Sequence, residues 1–244
     1  MILGLPGATA LPLGIFAIRV NAVGVHCLLK SFELGSCWAF GSAEVITDRI
    51  CIASNGTQSP VISAEDILSC CSTYYDDCGS CDGGWPYNAF NYWNAAGIVT
   101  GGDYGSDVSI AMEKTNNQGA LSLSSLSPSK CFTYLIRIFQ VGCMPYEISP
   151  CGKHDGVDYG PCPKESPPTP KCAAACRQGY PTSYLNDKTF GTSSYRIKTN
   201  SAIDIQREIL VNGPVVTCYD LYADFYNYKS GVYVVCLYFL KSEG

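Results

Sequence analysis

Histidine is nearly missing from this chain, with only His26 and His154 among 244 residues. Chemistry that needs an imidazole as acid or base near neutral pH therefore has two candidates and no more. Charge is also sparse: 15% of residues are Asp, Glu, Lys or Arg, the net charge is −5, and no basic run occurs. That balance argues against nucleic acid and against an anionic membrane surface as a partner. An uninterrupted apolar stretch of spanning length is lacking as well. Residues 1–18 carry no charge, but Pro6, Gly7, Pro12 and Gly14 interrupt them, so they make a poor transmembrane helix. They also lack the basic start of a signal peptide.

What the chain has in excess is cysteine, fifteen in all. This is too many for an ordinary cytosolic protein and implies disulfides made in an oxidising compartment. Zinc is the competing reading, because Cys78-Gly79-Ser80-Cys81 is a CxxC and Cys172 and Cys176 add further thiols. No compact four-ligand set stands out, so neither a metal nor an organic cofactor is expected. An odd count leaves at least one free thiol, which suits a catalytic cysteine and a stray one equally. The length allows one or two domains with a real core.

The stretch Gly35-Ser36-Cys37-Trp38-Ala39-Phe40-Gly41 organises the rest. After Cys37, Ala39, Ala43, Ile46 and Ile50 fall at helical spacing, with Glu44, Asp48 and Arg49 on the other side. Cys37 is thus expected in the first turn of an amphipathic helix. Unpaired N–H groups and the helix dipole there favour an anion, which would lower the thiol's pKa. A structural cysteine at a helix start would look the same, because a cysteine nucleophile also needs a base. Further on, Ser63 is an N-cap with Asp66 as the partner of a capping box. Pro86 opens a helix carrying Ala89, Phe90, Trp93 and Ala96, which Gly97 closes. Asn200 or Ser201 caps another, with Ala202, Ile205 and Ile209 on one face and Gly213-Pro214 as its stop. Residues 215–219 are predicted to form a strand, and a second begins at Tyr228. Asn55-Gly56-Thr57 is a glycosylation sequon, a motif short enough to recur by chance.

Gly-Ser-Cys-Trp-Ala-Phe resembles the nucleophile segment of papain-family cysteine proteases. Ser63-Ala64-Glu65-Asp66-Ile67-Leu68-Ser69-Cys70-Cys71, Cys81-Asp82-Gly83-Gly84-Trp85-Pro86 and Gly142-Cys143-Met144-Pro145-Tyr146 resemble the cathepsin B-like branch. So do Pro170-Lys171-Cys172 with Cys176, and Tyr228-Lys229-Ser230-Gly231-Val232-Tyr233. The resemblance implies an α+β, papain-like two-domain fold, with the helical first domain present and the β-rich second domain incomplete. It implies Cys37 as nucleophile of a cysteine endopeptidase or peptidyl-dipeptidase. Trp38, Gly83 and Gly84 would line the cleft, where glycines let a peptide backbone approach. It further implies the pairs Cys71–Cys78, Cys70–Cys172, Cys143–Cys176 and Cys151–Cys162. The last would close an occluding loop in which His154, beside Lys153, could hold a substrate carboxylate. An ordinary solvated loop is the alternative there. Peptide or protein substrates, protein inhibitors of cysteine proteases, a monomer, and a lysosomal or extracellular location follow from the same likeness.

Departures from the family pattern divide the chain. Residues 1–33 are a non-matching leader, expected not to be native, and 34–106 the helical domain with the nucleophile. Residues 107–141 are an insertion, Ser/Leu-rich and then apolar, expected to be disordered or loosely attached, with a retained intron as one origin for it. Residues 142–192 hold the occluding loop and disulfides, 193–233 begin the β-rich domain, and 234–244 are a non-matching tail. The family's oxyanion Gln, six residues before the nucleophile, falls at Ser31, and a cysteine three before it falls at Leu34. Cys51 and Cys81 are therefore expected to lose their family partners, with Cys27 as a substitute. The family's catalytic His and its orienting Asn have no match here. Loss of both and of the oxyanion donor would remove several powers of ten in rate. A polypeptide of this sequence is expected to be inactive, as a defective gene product or as a homologue that binds peptides or inhibitors.

Overall fold

The computed structural model describes residues 35–106, 142–154, 157–198 and 201–218. The leader, the insertion and the tail of the sequence reading lie outside them, as does the segment at Tyr228. The described elements, in order, are α1 (Cys37–Ala53), α2 (Ala64–Cys70), a 3₁₀ turn (Cys71–Thr73), β1 (Gly79–Ser80), β2 (Gly83–Gly84), α3 (Pro86–Ala96), β3 (Lys153–His154), β4 (Val157–Asp158), α4 (Tyr184–Asp187) and α5 (Ala202–Asn212). Each pair β1–β2 and β3–β4 is an antiparallel ladder of two residues per strand.

Helix α1 is the centre of the core rather than an amphipathic surface helix. Ala39, Ala43 and Ile46 are buried as the spacing predicts, but so are Thr47 and Asp48. The reason is that α2 and α3 both pack on it, so it has more than one inner face. Thr47 turns its hydroxyl to the Ala43 carbonyl and accepts the Ile62 N–H. Around α1 lie Ile67 and Leu68 of α2, Ala89 and Tyr92 of α3, and Ile98, Val99 and Cys143 from the loops.

The N-cap at Ser63 forms: its Oγ accepts from the Asp66 N–H at 2.9 Å and donates to the Met144 carbonyl at 2.6 Å. The reciprocal half of the capping box does not. The Asp66 carboxylate instead accepts the hydroxyls of Tyr92 and Tyr184 and the N–H of Val99. Those three donors come from distant segments, and Tyr92 and Val99 are fully buried and would otherwise lack acceptors, which decides the competition. Pro86 opens α3, and Gly97, at φ 72°, ends it. The Lys188 amine then donates to the Ala96 and Gly97 carbonyls, satisfying the helix end.

Ser201 caps α5 through the Asp204 N–H, and Gly213 at φ 98° stops it. Its salt bridge from Glu208 to Arg49, at 2.9 Å, and the bond from Arg49 Nε to the Pro214 carbonyl tie it to the far end of α1. No residue of α5 is buried. The predicted strand at 215–219 is not formed over 215–218, and Tyr219 lies outside the described residues. A strand requires a ladder partner, and none is provided here among the described residues.

The structure pairs Cys70 with Cys172, Cys71 with Cys78, Cys143 with Cys176, and Cys151 with Cys162. The bond from Cys70 to Cys172 closes 102 residues, so it fastens α2 to a remote loop. Cys51 is also disulfide-bonded, so of the two outcomes left open for it the free thiol is the one not realised. Cys81 is a buried free thiol.

Candidate active site

Cys37 stands at the first position of α1 with its side chain exposed. Ser36 occupies the N-cap but makes no side-chain cap; its Oγ accepts from the buried Tyr146 hydroxyl at 3.0 Å. The first-turn N–H groups are therefore left to other partners, and those of Trp38 and Cys37 act on the thiol. They lower its pKa, as the helix-start argument predicts. They do not prevail. Burial on the protein side of the sulfur is the larger influence and pushes the thiol above its ordinary value, and the nearby Cys218 adds to it. The expected depression of the Cys37 pKa is thus corrected. A helix end contributes a partial charge, whereas desolvation penalises the whole thiolate.

Trp38 turns inward. It is buried, and its indole N–H donates to the Ser80 carbonyl at 3.1 Å. Its ring fills the space under the β1–β2 hairpin so closely that a Cβ on Gly84 would lie 2.4 Å from it and one on Gly79 2.6 Å. Gly83 sits at φ +136°, a backbone that L side chains rarely adopt, with open space before it. Gly35 completes the wall: its N–H bonds the Cys81 carbonyl, and a Cβ there would strike the Asp82–Gly83 backbone at 2.6 Å. The nucleophile candidate and the glycine pair, 46 residues apart, are therefore brought together through Trp38 and Gly35. Trp38 lies under the hairpin, not in an open groove, so its part in the site is to support it.

Helix α2 carries a buried acid. Glu65, 1% exposed, accepts the Glu147 N–H on Oε2 at 3.1 Å, while its Oε1 has no hydrogen-bond partner among the described residues. Desolvation first, then the carboxylates of Glu147 and Asp66, push its pKa up to about 7, against the opposing Glu147 N–H.

The predicted occluding loop is a disulfide-closed hairpin. Lys153↔Asp158 and His154↔Val157 are its paired positions, and Gly152 and Gly160 bond at its neck inside Cys151–Cys162. His26 lies outside the described residues. Among the described residues no group of three or more His, Cys, Asp or Glu side chains could hold a metal. The thiols weighed for zinc at Cys78, Cys172 and Cys176 are all in disulfides. No described helix is long and apolar enough to cross a membrane.

The sequence reading missed Ser36, Tyr146, Gly79 and Cys218 as parts of this site. Tyr146 was visible as the last residue of a quoted motif; Cys218 carried no signal beyond being a cysteine.

A family model described as papain family cysteine protease matches residues 19–238. The chain is similar to cathepsin B-like cysteine proteinase 5 of Caenorhabditis elegans, 38% identical over 217 residues, covering 88% of this chain and 53% of the relative. It is 44% identical over 202 residues to cathepsin B-like cysteine proteinase 3 of the same organism, 82% of this chain and 42% of the relative. A cathepsin B-like cysteine proteinase of Schistosoma japonicum is 40% identical over 200 residues, 82% and 47% respectively. The chain spans about half the length of these curated relatives. Among solved structures, procathepsin B S9 from Trypanosoma congolense has a TM-score of 0.48 at 26% identity, covering 83% of this chain and 48% of that one.

Proposed function

The chain belongs to the papain family of cysteine proteases, in its cathepsin B-like branch, and from that premise we propose that Cys37 is a peptidase nucleophile. In that chemistry the Cys37 sulfur attacks a peptide carbonyl and forms a tetrahedral adduct. Collapse breaks the C–N bond, the amine leaves with a proton, and water releases the acyl group from sulfur. The first-turn N–H groups of α1 would face the developing oxyanion. The backbone of Gly83 and Gly84 would take an extended peptide alongside, in the manner of strand addition. The β3–β4 hairpin with His154 would meet a substrate's C-terminal carboxylate. The observation that carries this reading is the exposed Cys37 at an uncapped helix start beside a glycine wall that tolerates no side chain at Gly84.

A polypeptide of these 244 residues would turn over peptides slowly if at all. The Cys37 thiol is held above its ordinary pKa, so a thiolate needs an imidazole partner, and the two histidines fall in the leader and the hairpin. That observation favours the second reading, a homologue that binds peptides or cysteine-protease inhibitors without cutting. Four described disulfides support an oxidising compartment, lysosomal or extracellular.

The test is an epoxide-bearing peptidyl trap applied to the purified full chain near neutral pH, with a fluorogenic dipeptide substrate in parallel. Rapid labelling at Cys37, lost in Cys37→Ser, supports the nucleophile. Labelling no faster than that of a free thiol, together with saturable inhibitor binding, moves the conclusion to the binding homologue. Brisk substrate turnover would defeat the claim of low activity.

A further inference from the structure

The function above makes no use of Asn55-Gly56-Thr57, and the structure adds to the motif what the sequence lacked, a suitable place. We propose that Asn55 is an N-linked glycosylation site, taking an oligosaccharide through N-acetylglucosamine. Asn55 and Thr57 are both exposed, in the turn that follows α1. Asn55 itself sits at φ 53° in the left-handed region, and its side-chain amide has no hydrogen-bond partner among the described residues. Neither Gly56 nor Gln58 is proline, so the acceptor motif is intact.

The turn is firmly built. The Asn55 N–H bonds the Ile52 carbonyl at 3.0 Å, the Gly56 N–H the Cys51 carbonyl at 2.8 Å, and the Thr57 N–H the Ser54 carbonyl at 3.1 Å. The second of these matters chemically. An exposed Asn-Gly pair loses its amide when the glycine nitrogen attacks the asparagine side chain. Here that nitrogen is engaged by the Cys51 carbonyl, which disfavours the attack.

The transfer joins Asn55 Nδ2 to the anomeric carbon of the N-acetylglucosamine. The bond from that carbon to the pyrophosphate of a lipid-linked donor breaks, lipid pyrophosphate leaves, and the amide gives up one proton. Placement also fits the proposed site. The remaining length of α1, Trp38 to Ala53, separates the turn from Cys37, about 24 Å of helix, so a glycan at Asn55 leaves the thiol open.

The inference rests on the compartment proposed above, and the experiment separates the two. The full chain is translated behind a supplied secretion signal with endoplasmic-reticulum microsomes, and protease protection selects the molecules that entered. In those molecules the peptide containing Asn55 should carry a glycan removable by peptide N-glycosidase. Run in heavy-oxygen water, that removal marks Asn55 by an incorporated label, which spontaneous amide loss before the digest would not. Thr57→Ala and Asn55→Gln should abolish the glycan and Thr57→Ser retain it. An unmodified Asn55 in protected chains, or a glycan that survives Asn55→Gln, overturns the proposal. Whether the chain enters microsomes without the supplied signal tests the compartment alone.

Discussion

Replacing Glu65 with glutamine should remove a pH dependence from the stability of this fold. In the folded chain the Glu65 carboxyl has its pKa at about 7, against 4.5 for the ordinary group. A folded pKa raised above the unfolded value means that folding binds a proton. The stabilisation is fully present below pH 4.5 and is lost as pH rises through about 7. A shift of that size, at about 1.4 kcal/mol per pH unit, corresponds to about 3 kcal/mol. Against a total of about 5–15 kcal/mol for a domain, this is a large share. Glu65→Gln keeps an oxygen to accept the Glu147 N–H but cannot ionise. Urea unfolding of both proteins across the interval should show the wild type weakening by about that amount relative to the variant. Asp66 is also raised, mainly by burial, and contributes a slope of the same sign. The difference between wild type and variant isolates Glu65. Identical slopes for the two would refute the reasoning, and so would a wild type that gains stability relative to the variant as pH rises.

Gly84→Ala would drive a Cβ into the Trp38 ring, so about 1–3 kcal/mol of stability should be lost; thermal unfolding reads the loss, and trapping of Cys37 should slow with it. Cys218→Ser removes a neighbour that helps to push the Cys37 thiol up; the pH profile of alkylation at Cys37 should move to lower pH, and an unchanged profile would show that the two thiols do not interact. Replacing both Cys70 and Cys172 with serine opens a link across 102 residues, and the loop-entropy model gives about 4–5 kcal/mol for such a loop. Denaturant unfolding should show this loss, with a smaller one when Cys151 and Cys162, 11 residues apart, are replaced.

Much of this molecule was determined locally. The cap at Ser63, Pro86 and Gly97 at the ends of α3, and Ser201 and Gly213 at the ends of α5 all follow from residues acting on their own neighbouring backbone. Such interactions are present in the sequence because they span only a few residues. The glycine pair was legible only through the family resemblance; that Gly83 adopts a backbone other residues resist came from the structure. Tertiary structure decided the rest. Asp66 abandons its own helix start because Tyr92, Tyr184 and Val99 converge on it from elsewhere. The strand at 215–218 fails because a strand depends on a partner its own sequence does not encode. The Cys37 thiol rises where the helix end alone would lower it, because desolvation depends on what the whole chain packs around the sulfur, and periodicity and spacing carry no record of that.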